Sequence, residues 1–80
     1  MSLPNDRPGR RHLNPRKLLL SKWTAAQPQN RERHFLVTEL IRDEADNILG
    51  VELQAVLTRR SRQLDWRQLQ DCERWLQGWR

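Results

Sequence analysis

The ten residues Leu49-Gly50-Val51-Glu52-Leu53-Gln54-Ala55-Val56-Leu57-Thr58 carry the plainest structural signal in the chain. Leu49, Val51, Leu53, Ala55 and Leu57 fall on one side of a period of two, with mostly small or polar residues on the other. Alternation of this length specifies a half-buried strand with one face against a core. Upstream, residues 34–42 give a second, less regular strand signal. Phe35, Val37 and Ile41 share a face with Glu39, while Leu36 and Leu40 share the other with Thr38. The polar residues 43–47 between the two signals make the pair an antiparallel hairpin. Thr58-Arg59 reads as a tight turn and residues 60–64 as a third strand. Residues 22–25 are extended, with Trp23 and Thr24 suited to a strand, and the polar residues 26–32, with Pro28 and Asn30, read as a loop.

Two helices are expected to flank this meander. Asn14 is a good N-cap and Pro15 a favoured first helical residue, so residues 15–21 read as a short helix with Leu18 and Leu19 inward. Asp65 followed by Trp66-Arg67-Gln68 is a capping pattern. Leu69, Cys72, Leu76 and Trp79 then recur at helical spacing, with Gly78 as a stop. Trp66 and Trp79 are expected in the core. The expected class is α+β: a short N-terminal helix, a small antiparallel meander curled as an SH3-like or Tudor-like half-barrel, and a C-terminal helix. Residues 1–13 have only Met1, Leu3 and Leu13 as apolar residues, too few to offset ordering, and read as a disordered basic tail on a domain spanning 14–80.

Eighty residues make one small domain, and the formal charge is +5. The charge is uneven. Residues 1–33 hold eight Lys and Arg against two acids, +6, and residues 34–80 hold seven against eight, −1. A basic arm on a near-neutral body points to an anionic partner such as RNA, DNA, an acidic protein face or lipid headgroups, with a solubilising tail as the plain alternative. The longest aliphatic run, Leu18-Leu19-Leu20, neither spans a bilayer nor forms a signal peptide. A lone Cys72 excludes an intrachain disulfide and a cysteine zinc cluster, and fits the reducing cytoplasm.

Residues 14–25 (Asn-Pro-Arg-Lys-Leu-Leu-Leu-Ser-Lys-Trp-Thr-Ala), Pro28-Gln29-Asn30, residues 34–38 (His-Phe-Leu-Val-Thr), residues 64–69 (Leu-Asp-Trp-Arg-Gln-Leu) and Trp75-Leu76-Gln77-Gly78-Trp79 together resemble a family of small tryptophan-rich bacterial proteins of unknown function, found mainly in cyanobacteria and gammaproteobacteria. The resemblance covers about residues 14–79. It implies a short stand-alone protein and brings no activity with it.

No catalytic constellation, metal set or cofactor motif is legible. His12 and His34 lack partners at ligand spacing, Cys72 lacks a general base, and Asp43, Glu44 and Asp46 read as a solvated turn. The binding candidates are Arg10, Arg11, Arg16, Lys17, Lys22, Arg31 and Arg33, with Trp23, which reads first as a core residue, as the candidate stacking face beside them. Aromatic platforms in a basic groove hold single strands with little sequence preference. About six phosphate contacts give a log–log salt slope of roughly −4. Arg59, Arg60 and Arg62 form a second cluster that reads as ordinary solvated charge. The expected function is a non-enzymatic module binding RNA or single-stranded nucleic acid. The rival is an accessory factor docking a protein through exposed tryptophan and a sheet edge.

Overall fold

The computed structural model describes residues 10–80. Five strands form one antiparallel sheet: β1 (Lys22–Gln29), β2 (Glu32–Arg42), β3 (Ile48–Ala55), β4 (Ser61–Asp65) and β5 (Trp75–Gln77). The spatial order is β4-β3-β2-β1-β5: β1 to β4 form a meander, and β5 returns to pair with β1 at its outer edge. The expected α+β class is therefore wrong. The described residues hold no α-helix, only 3-10 turns at Pro15–Lys17 and Trp66–Gln70.

Both caps form as their residue types predict, but the helices do not extend from them. Asn14 accepts the Arg16 backbone N–H at 3.1 Å and Pro15 opens the turn, as its residue type favours. The turn stops after three residues. Leu20 then takes a positive φ, and residues 20–21 exchange backbone hydrogen bonds with Val37 (Leu20 N–H to Val37 O 2.8 Å, Val37 N–H to Ser21 O 3.0 Å). Two turns of helix are too few to hold without tertiary support, and here that support favours pairing with β2. Leu18 is buried as expected and Leu19 is exposed.

At the other end, Asp65 caps the Arg67 N–H at 2.9 Å. The Asp71 carbonyl then accepts the Arg74 and Trp75 amides, and the chain extends as β5. Strand β1 would otherwise leave its outer edge unpaired, an unfavourable arrangement around a buried tryptophan. Pairing Trp23↔Gln77, Thr24↔Leu76 and Ala25↔Trp75 covers that edge and buries Trp75. Of the expected helical stripe only Leu69 is fully buried. Trp79 is 44% exposed, so its assignment to the core fails, and Trp66 packs partly against the core.

A bulge explains the irregular pattern of β2. Val37 pairs with Leu53 but Glu39 pairs with Glu52, so Thr38 is the extra residue. One inserted residue reverses the parity beyond it. Leu40, rather than Ile41, thereby joins Phe35 and Val37 against the core. In β3 the alternation holds through Val51, Leu53 and Ala55, all buried, while Leu49 and Leu57 lie exposed at the ends. Strand β1 continues to Gln29 through the stretch that reads as a loop by composition. Pro28 sits in an irregular stretch of its ladder, and Asn30-Arg31, both at positive φ, make the hairpin turn.

Residues 10–13, counted with the basic tail by sequence, are bonded to the domain. The Arg10 backbone makes an isolated antiparallel β-bridge with Asp71, and the Arg11 amide donates to Gln70 O at 2.8 Å. The rest of that expected tail, residues 1–9, lies outside the described residues.

Candidate functional site

The sheet curls until the side chain of β4 residue Arg62 lies over a ring of β5. Its guanidinium carbon is 5.5 Å from the Trp75 ring and 5.4 Å from that of Phe35 on β2. These rings pack edge to face, centroids 5.3 Å apart at 83°. Beneath Arg62 they form the floor of an open groove of about 450 Å³ along the seam between β4 and the β1–β5 pair.

Three arginines line this groove, Arg60, Arg62 and Arg74. Among the described residues that line it, Glu32 is the one acid. Its carboxylate accepts the Thr58 hydroxyl and lies 3.9 Å from Arg60 Nε, so its charge is spent on the wall. Arg74 Nε is 3.5 Å from Asp71. Among the described residues, the Arg62 guanidinium has no carboxylate within ion-pair distance and donates no hydrogen bond, its backbone alone pairing in the β3–β4 ladder. Gln27, Gln29, Asn30 and Gln68 also face the groove, and their side-chain amides make no hydrogen bond to described residues. A shallower depression of about 220 Å³ continues from it, sharing Gln68 and Arg74 and adding Arg10 and Arg67. There Asp65 and Asp71 offset two of the three arginine charges, with Arg67 Nη1 3.7 Å from Asp65.

The basic residues singled out from sequence do not form one patch. Arg10 alone reaches the seam. Arg11 is a clamp, donating from Nη1 to Leu69 O at 2.5 Å and from Nη2 to Trp75 O at 2.6 Å, with its guanidinium 5.2 Å from the Trp23 ring. Arg16, in the N-terminal 3-10 turn, reaches across to the β2–β3 turn, 3.9 Å from Asp46, which Arg42 holds at 2.9 Å. Lys17 is exposed and Arg33 is exposed on β2. Arg31 occupies the β1–β2 turn between two groove residues, Asn30 and Glu32. Trp23 presents no stacking face. It is 1% exposed, its Nε1 donates to Ser21 Oγ at 2.8 Å, and Arg11 covers the ring.

The exposed tryptophan is Trp79, on the opposite side of the sheet. Gly78, at φ 78°, turns the chain back over β1, and the buried Thr24 hydroxyl fastens it by donating to Gly78 O (2.7 Å) and accepting from the Arg80 N–H (3.0 Å). Trp79 Nε1 donates to Phe35 O at 3.0 Å, Lys22 Nζ lies 4.8 Å from the ring centroid, and His34 stands beside it at 6.1 Å. Lys22 is thus paired with an aromatic ring, but not the expected one.

Sequence reading misses the seam because it is assembled from residues far apart in the chain. Arg60 and Arg62 are visible as a cluster, and nothing local distinguishes them from solvated charge. Arg74 and the amides give no signal until β5 is placed beside β1.

No curated protein and no solved structure matches this chain. A family model described as "Tryptophan-rich protein (DUF2389)" does match, over residues 21–80, taking in all five strands and both tryptophan-bearing ends of the sheet. The chain belongs to this tryptophan-rich family, as the motifs around Trp23, Trp66 and Trp75–Trp79 implied.

Proposed function

We propose that the protein is a non-enzymatic binding module for RNA or single-stranded nucleic acid, and that the seam groove is where it binds. One observation carries this reading: arginines and uncommitted amides converge over an aromatic floor in a groove open along its length. Arginine suits phosphate because its planar fork donates bidentately, and amides pair with base edges. The arm contributes Arg10 at the end of the track rather than an independent electrostatic site.

Fluorescence anisotropy with a labelled single-stranded RNA tests this. Contacts by the three groove arginines give a log–log salt slope of roughly −2, against roughly −4 for about six contacts from the dispersed basic set. Absence of binding at low salt refutes the proposal.

A second reading rests on Trp79, whose 44% exposure beside Lys22 and His34 suits a protein-docking anchor. In that case Trp79→Ala abolishes capture of a nuclease-resistant partner, and groove substitutions leave capture intact.

A further inference from the structure

Phe35 and Trp75 do more than fill the groove floor, because they hold Arg62. A guanidinium kept 5.4 and 5.5 Å from two rings that are themselves packed edge to face is confined by its cation–π contacts. Arg62 is exposed and, among the described residues, its guanidinium is neither ion-paired nor hydrogen-bonded. Its donors and its outer surface therefore remain available to a ligand. Planar guanidinium groups serve as stacking surfaces for unpaired bases.

We infer that Arg62 is the stacking plate of the site, and that the groove selects one unpaired base, laid on that guanidinium with its edge toward the Gln68 and Gln27 amides. A paired base has its hydrogen-bonding edge occupied and its faces covered by neighbours, so duplex RNA is excluded. The inference rests on the proposed nucleic-acid reading and adds the class of ligand, unpaired bases, and the residue that selects it.

The test uses the full chain, a labelled oligoadenylate of about ten nucleotides, and the same strand annealed to oligouridylate. Lysine keeps the charge but lacks the plane, so Arg62→Lys weakens single-strand binding at least about fivefold, the low end for one stacked base, with the salt slope unchanged. Arg42→Lys, outside the groove and paired with Asp46 at the β2–β3 turn, stays within about twofold of wild type. Wild type prefers the single strand to the duplex. Equal binding of Arg62→Lys and wild type, or equal wild-type affinity for the two RNAs, overturns the inference while leaving nucleic-acid binding standing. If wild type binds neither RNA, the functional proposal itself falls and the inference with it. Because Arg62 is exposed, its replacement leaves the core intact, and an unchanged urea midpoint verifies this.

Discussion

Arg11→Ala is expected to cost far more than the loss of a charge from a basic tail. The side chain donates to two backbone carbonyls, Leu69 O at 2.5 Å and Trp75 O at 2.6 Å, and lies over Trp23 at 5.2 Å. Hydrogen bonds from charged groups contribute about 1.5–3 kcal/mol each, and a partly exposed cation–π contact about 0.5–1 kcal/mol. Arg11 is half-buried, so the lower ends apply, giving a loss of about 2–4 kcal/mol. A chain of this length has roughly 4–12 kcal/mol in all. The melting temperature then falls by roughly 10–25 °C. Arg11→Lys recovers part of this, since one ammonium keeps the charge without the fork that spans both carbonyls. Urea denaturation followed by tryptophan fluorescence is the assay, and Arg16→Ala, an exposed pair at 3.9 Å, is the control that stays within about 0.5 kcal/mol. A loss below about 1 kcal/mol for Arg11→Ala refutes the clamp. The same contacts predict that removing residues 1–13 destabilises the domain, because Arg11 goes and so does Leu13, which packs against the core.

Further predictions concern the sheet, its C-terminal strap and the β2–β3 turn. A Cβ at Gly50 would stand 2.5 Å from Leu64 O, so Gly50→Ala forces β3 and β4 apart at a cost of about 1–3 kcal/mol by urea titration. An unchanged midpoint there contradicts the close approach. Thr24→Val removes the hydroxyl that fastens Gly78 and Arg80, and costs about 1–3 kcal/mol. It also raises acrylamide quenching of Trp79, and unaltered quenching means the strap is held by something else. The Asn47 backbone N–H, helped by the Asn47 side chain and the Ala45 N–H, holds the Asp43 carboxyl below its ordinary value of 3.8. A carboxyl depressed on folding stabilises the fold above its unfolded value, and that contribution disappears as pH falls through the lower folded value. An NMR titration of Asp43 with a midpoint at or above 3.8 is incompatible with this turn.

The meander is legible in the sequence because β3 and β4 are set by local alternation and a turn. The residues of β2 give a mixed pattern for a definite reason: the bulge at Thr38 changes which side chains face inward, and no count along the sequence reveals an extra residue. The terminal helices fail on a different ground. Asn14 and Asp65 do cap, yet capping fixes only a first turn, and the conformation beyond that turn is decided by tertiary partners. For residues 75–77 the partner is the edge of β1, which lies some fifty positions earlier in the chain. The same distance conceals the site. Trp23 resembles a platform in the sequence because it neighbours Lys22, but strand pairing buries it under Arg11. The aromatic floor lies at Phe35 and Trp75 instead.

We propose that the seam between β4 and β5 is the nucleic-acid site. The most direct test is an NMR titration of the isotopically labelled chain with a short single-stranded RNA, tracking backbone and side-chain amide shifts residue by residue. Binding at the seam gives saturable shifts at Gln27, Asn30, Arg62, Gln68 and Arg74, with the Trp79 indole unmoved. No shift up to millimolar RNA, or shifts confined to Trp79, Lys22 and His34, contradicts it.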